Sequence, residues 1–160
     1  MVIGITIIIM AAISAGVFQF FSVNTRNTNH MEAVKEVENA VHWITRDVER
    51  AQYADNTTYT ISHSFAESPL VLNWANEFDN IPGSVTYRQT GSDLVRTYSP
   101  NGGPATTNFV AQHVVSDNTS WSLSVSPYGA VLSFNVAARV GSSNPSTETR
   151  SFQVVARSKP

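Results

Sequence analysis

The residues of this chain that could do chemistry are few and scattered. Its four histidines are His30, His42, His63 and His113, and no two stand at the i, i+4 spacing that lets one helix face present a pair of imidazoles to zinc. Cysteine is absent, which excludes disulfides and thiolate metal sites and leaves the redox compartment unreadable. Ser62-His63-Ser64 sets hydroxyls beside an imidazole, as a hydrolase would, but no nucleophile elbow or glycine loop surrounds them. Asn76-Glu77-Phe78-Asp79-Asn80 gathers oxygen ligands as a calcium loop would. It lacks the alternating spacing and glycine of an EF-hand and reads as a solvated loop. Asn56 in NTT and Asn118 in NTS fit the N-glycosylation acceptor pattern, a frequent coincidence where Asn, Thr and Ser abound. Lys and Arg number 10 against 12 Asp and Glu, a net charge of -2 with no basic run, so nothing could neutralise successive phosphates and nucleic acid is not an expected partner. The expectation is a protein with no cofactor, no metal and no catalytic residue.

The elements that would carry these residues divide the chain in two. No charge precedes Arg26 and no acidic residue precedes Glu32. As a helix, residues 1–23 would reach about 35 Å, enough to cross a hydrocarbon core of about 30 Å. A secretory signal peptide would need a basic start and a small-residue cleavage site, and neither Met1-Val2 nor NTRNTNH supplies them. Between Gly16 and Pro69 there is no Gly or Pro to interrupt a helix. Val34, Val37, Val41, Ile44, Val48 and Ala51 recur at spacings of 3, 4, 3, 4 and 3, one narrow helical stripe that calls for a partner. Glu32, Lys35, Glu38, Arg46, Asp47, Glu49 and Arg50 fall on the opposite faces. The pairs Glu32 with Lys35, Lys35 with Glu38 and Asp47 with Arg50 stand one turn apart with opposite sign, so these charges read as a solvated face. Unbroken from Met1 to about Tyr53, the helix would be about 80 Å long, with Asn24–Asn29 the stretch where it would loosen. Ala11 with Ala15 and Ala12 with Gly16 are small-xxx-small pairs that let membrane helices approach closely. The aromatic residues Phe18, Phe20, Phe21, Trp43 and Tyr53 are assigned to packing on the same helix.

Beyond Tyr53 the period shortens to that of strands. TYTIS, PLVLNW, SVTYRQ, DLVRTY, FVAQHVV, SWSLSV, AVLSFNVAARV and SFQVVAR are separated by IPGS, QTGSD, PNGGP, SPYG and GSSNPS. Val85 and Tyr87 alternate with Thr86 and Arg88 before TGSD reverses the chain into Leu94, Arg96 and Tyr98, a hairpin. A second hairpin joins Trp121–Val125 to Ala130–Ala138. The second half is expected to form an antiparallel sheet with one solvated face, its apolar face covering the helix stripe. The predicted fold is α+β, with an apolar helix at 1–25, its amphipathic continuation at 26–54 and a β-rich head at 55–160.

In this organisation the chain resembles the type IV pilins and the pseudopilins of type II secretion. The helix MEAVKEVENAVHWITRDVERAQ looks like that of the J-type pseudopilins and W-type minor pilins. VTYRQTGSDLVRTY, FVAQHVVSDNTSWSLSV, AVLSFNVAARV and RSFQVVARS are similar to the strand order of that group. The resemblance implies a non-enzymatic filament subunit, with Gly4, Ala11, Ala12, Ala15, Gly16, Phe18, Phe20 and Phe21 packed in the filament core. Its partners would be copies of itself, other pilins or pseudopilins, the inner-membrane assembly platform and, before assembly, the lipid bilayer. It implies a location in the cytoplasmic membrane first and in an extracellular filament afterwards. One departure stands out. Family members carry Glu at the fifth mature position, where it offsets the buried positive N-terminus of a neighbour; here that position is Ile5. Either the numbering begins at an internal Met with leader and Glu upstream, which the Val2–Gly4 stretch favours, or the chain is a divergent member like the archaeal relatives. Three functions follow: a main filament subunit, a low-copy minor pseudopilin, and, from a different class, a membrane-anchored enzyme or solute-binding domain.

Overall fold

The computed structural model describes residues 2–53, 59–74, 83–100, 103–126 and 129–158. Helix α1 runs from Val2 to Arg50 without a break, about 74 Å at 1.5 Å per residue. The Asn24–Asn29 stretch stays helical. Thr25 and Thr28 turn their hydroxyls back onto the carbonyls of Phe21 and Asn24, at 2.9 and 3.0 Å, so these side chains bond within the helix instead of competing with it. The helix ends where Ala51 N–H is shared between the carbonyls of Asp47 and Val48. Tyr53 therefore lies in a strand and not on the helix as expected.

Among the described residues nine strands follow: β1 (Gln52–Tyr53), β2 (Tyr59–Ser64), β3 (Leu70–Trp74), β4 (Gly83–Thr90), β5 (Asp93–Pro100), β6 (Thr106–Ala111), β7 (Ser120–Ser126), β8 (Gly129–Val140) and β9 (Ser146–Ser158). They form two sheets, where the sequence suggested one. The first has the order β1-β9-β8-β7-β2, antiparallel except for the short parallel pairing of β1 with β9; the second is the antiparallel meander β3-β4-β5-β6. Both expected hairpins are present. β4 and β5 turn at Gly91, whose φ of 62° suits a residue without Cβ, and pair Val85 with Tyr98, Tyr87 with Arg96 and Gln89 with Leu94. β7 and β8 pair Trp121 with Phe134 and Val125 with Ala130. The segment FVAQHVV is not one strand. β6 stops at Ala111, His113 turns the chain with a positive φ of 58°, and Val114 bridges to Ala138 of the other sheet. The chain thus enters the meander between β2 and β3 and returns to the larger sheet at this crossover.

The core is a single cluster drawn from the helix and both sheets, with Val37, Ile44 and Val48 of α1 beside Leu72, Val85 and Leu94 of the meander and Leu123, Leu132 and Phe134 of the larger sheet. Strands β4 and β7 contribute alternate residues, as the burial of Val85, Tyr87 and Gln89 and of Trp121, Leu123 and Val125 against the partly exposed Thr86 and Ser122 shows. The helix stripe is rotated by about one position from the expected one. Ala33, Val37, Ala40, Ile44, Asp47 and Ala51, at spacings of 4, 3, 4, 3 and 4, are all fully buried, while Val34 and Val41 are half-buried at its flank. Only half of the helix is covered in this way. Ile5 to Thr28 are exposed without exception.

Candidate assembly surface

Two regions carry functional information: the free half of α1 and the contacts that fix the head on the other half. In the free half, Ile7, Ile8, Ile9, Met10, Ile13, Phe18, Phe20 and Phe21 are all more than half exposed, Phe18 at 76%. Monomeric soluble proteins do not leave contiguous apolar surface of this extent to water. The helix is long and apolar enough to cross a membrane. Its backbone polar groups are paired internally, so lipid or packed helices are equally acceptable surroundings. Ala11, Ala12, Ala15 and Gly16 are exposed there, and a Cβ added at Gly16 would meet no atom within 4 Å. Gly4 is helical, and its surroundings lie outside the described side chains.

The head grips the helix from Ser22 to Ala51. At the lower end the turn between β8 and β9 lies along the helix. Asn29 Nδ2 donates to the Asn144 carbonyl at 3.0 Å, Asn144 Nδ2 to Ser22 Oγ at 3.4 Å, and Ser146 Oγ is 3.4 Å from His30 Nδ1. Gly141 makes this approach feasible. Its φ is 93°, and a Cβ there would lie 2.3 Å from Asn29 Nδ2. In the middle, Asn39 Nδ2 donates to the Val110 carbonyl at 2.7 Å and Glu36 accepts from Gln112 N–H at 2.7 Å, closing the C-terminal end of β6 with side chains. Glu38 pairs with Arg150 of β9 at 3.0 Å. Beside that pair runs an open groove of about 470 Å³ lined by His42, Arg46 and Glu49 of the helix and by Arg150 and Phe152 of β9.

At the upper end the grip is ionic and buried. Asp47, assigned by its charge to the solvated face, has no exposed surface. Its carboxylate accepts from Arg96 Nε at 2.6 Å, from Arg96 Nη2 at 3.0 Å and from the Tyr87 hydroxyl at 2.5 Å. This is a bidentate, charge-assisted arrangement with the phenol as third donor. Arg96 is 7% exposed and lies over the Trp43 ring, its guanidinium carbon 4.8 Å from the ring centroid, with Tyr98 at 5.8 Å. Burial, reinforced by the hydrogen bond and negative charge of Asp47, pushes the Tyr87 phenol well above its ordinary value of 10.0. Burial works against the Arg96 cation, but the hydrogen bond and charge of Asp47 outweigh it and hold the guanidinium protonated. No substrate reaches a carboxylate so enclosed. The triad ties α1 to the meander, much as a buried polar contact fixes register elsewhere.

A signal for it was present in the sequence: Asp47 continues the Ala33, Val37, Ala40, Ile44 spacing, and Arg96 stands at an inward position between Leu94 and Tyr98. The alanines carry little weight in an apolar count, so the stripe drawn through the valines missed it. The histidines are not brought together. His30 touches the β8–β9 turn, His42 lines the groove and meets Trp43 edge to face, His63 lies beside Trp121, and His113 turns the crossover. Among the described residues no three His, Asp or Glu side chains converge as metal ligands do. Asn118 is exposed in a short 3-10 turn (Ser116–Asn118); Asn56 and the Asn76–Asn80 loop lie outside the described residues. Compared with protein-family models, curated proteins and solved structures, the chain gives no match.

Proposed function

We propose that this chain is a structural, non-enzymatic subunit of an extracellular filament of the type IV pilus kind. The observation that carries the reading is the division of one unbroken helix. Residues 33–51 are packed into the head, and residues 5–28 are exposed along their whole length. A subunit that leaves a bilayer to join a filament needs a segment that is stable in both. An uncharged helix meets that need, because the helices of neighbours can take the place of lipid around it. The pairs Ala11 with Ala15 and Ala12 with Gly16 would bring those neighbours close. The resemblance of the helix sequence to J-type pseudopilins supports a second reading, a low-copy subunit at the tip of a secretion filament. Before assembly the chain would reside in the cytoplasmic membrane.

Electron microscopy of filaments sheared from the native cells, with mass spectrometry of their dominant band, tests the proposal. The expected result is this chain as the principal component. A trace presence alongside another dominant pilin would replace the first reading by the second. Complete absence from filaments and from pilin complexes would overturn both.

A further inference from the structure

The geometry points to a membrane-contacting foot on the head: we infer that the β8–β9 turn, Gly141–Pro145, rests in the phospholipid headgroup layer before assembly. The inference rests on the reading of α1 as a membrane-spanning helix and adds what the head does at the surface. The apolar run of α1 ends at Val23, and Asn24, Thr25 and Arg26, the first charge, follow it. A spanning helix keeps its first polar and charged residues out of the hydrocarbon, so the bilayer surface lies near Val23. Ser22 and Asn29 are bonded to Asn144 of the turn, and His30 to Ser146 just after it, so the turn reaches down the helix to that level. Ser22 adjoins Val23 itself.

The chemistry of the turn suits the place. Gly141, Ser142, Ser143, Asn144 and Pro145 are all exposed and none is charged, so nothing in it resists contact with choline, glycerol or phosphate groups. Arg26 lies between Ser22 and Asn29 on the same helical face, four residues after the first and three before the second. It is exposed, and no carboxylate among the described residues pairs with it. A lipid phosphate is the counter-charge available at that depth. The Asn29–Asn144 clamp fixes the foot against the helix, so the head is held at one height and one orientation instead of swinging about Asn24–Asn29.

The absence of cysteine makes a direct test simple. Single variants Ser143→Cys, Asn24→Cys, Glu49→Cys and Ile13→Cys of the full chain are labelled with an environment-sensitive fluorophore. They are reconstituted in phosphatidylcholine–phosphatidylglycerol vesicles carrying a nitroxide on the headgroup or within the acyl chain. Glu49 is about 40 Å along the helix from Ser22 and reports the distant end. The expected result is that the headgroup nitroxide quenches the probe at residue 143 as strongly as that at 24, and several-fold more than that at 49. If the acyl-chain nitroxide fails to quench the probe at residue 13, the spanning reading fails and the foot with it. If residue 13 is quenched while residue 143 stays as bright as residue 49, the helix spans but the foot is refuted. Adding Asn29→Ala or Gly141→Ala releases the clamp and is expected to lower quenching at 143 without altering it at 13. Unchanged quenching at 143 in both would overturn the clamp.

Discussion

Replacing Asp47 by alanine is the sharpest test of how the head is held to the helix. The substitution removes the acceptor of three hydrogen bonds, two from Arg96 and one from Tyr87. It leaves a guanidinium that is 7% exposed without its counter-charge. Breaking a buried pair from one side costs about 3–5 kcal/mol, and an orphaned buried hydroxyl about 1–3 kcal/mol. The two do not add in full, because the flexible Arg96 side chain can shift along Trp43 and Tyr98 toward water. A loss of about 4 kcal/mol is therefore expected, set against a total stability of about 5–15 kcal/mol for a domain. Urea unfolding of the full chain in detergent micelles, followed by tryptophan fluorescence, measures it. Trp43 sits on the triad and reports its loss directly. The midpoint should fall sharply at unchanged slope. A triple variant, Asp47→Leu with Tyr87→Phe and Arg96→Met, removes every polar partner at once and should recover most of the loss. Arg150→Ala, which breaks only exposed pairs, should leave the midpoint where it was. A cost for Asp47→Ala below about 1 kcal/mol, the range of surface pairs, would refute the reasoning, since a carboxylate so worthless cannot be buried and paired as described.

Three further outcomes follow from named contacts. The phenol of Tyr87 is held protonated by burial and by Asp47, so its folded pKa lies above the unfolded value of 10.0. The stability this supplies is present in full below pH 10 and is lost as pH rises beyond it, at up to about 1.4 kcal/mol per pH unit. Unfolding midpoints of Tyr87→Phe, measured across that alkaline range, should decline less steeply than those of the native chain. Thr119 is fully buried, and its hydroxyl accepts from Ala137 N–H at 3.2 Å. Thr119→Val leaves that amide unpartnered and should cost about 1–3 kcal/mol in the same assay. Ile13→Arg puts a charge near the middle of the free apolar helix, a penalty of about 2.5–3.5 kcal/mol for insertion. Carbonate extraction of membranes should release more of this variant, with the unfolding of its head unchanged.

The free half of α1, its amphipathic continuation and the two hairpins were legible in the sequence because each is a local matter. A run without charge, a spacing of three and four, and a TGSD turn act over a few residues, and no distant partner is needed to specify them. The helix even persists through Asn24–Asn29, where composition alone suggested a weak point, with the hydroxyls of Thr25 and Thr28 turned onto carbonyls of the same helix. The number of sheets, the rotation of the buried stripe and the grip on the helix belong to tertiary structure. His113 takes a positive φ to carry the chain from one sheet to the other, which no periodicity announces. Asp47 is buried because Arg96, 49 residues away, compensates its charge, and desolvating a carboxylate becomes tolerable only once such a partner is in place. Gly141 meets Asn29 across a stretch of sequence more than twice as long. Local pattern determined which elements form; the satisfaction of polar groups at long range decided how they are joined.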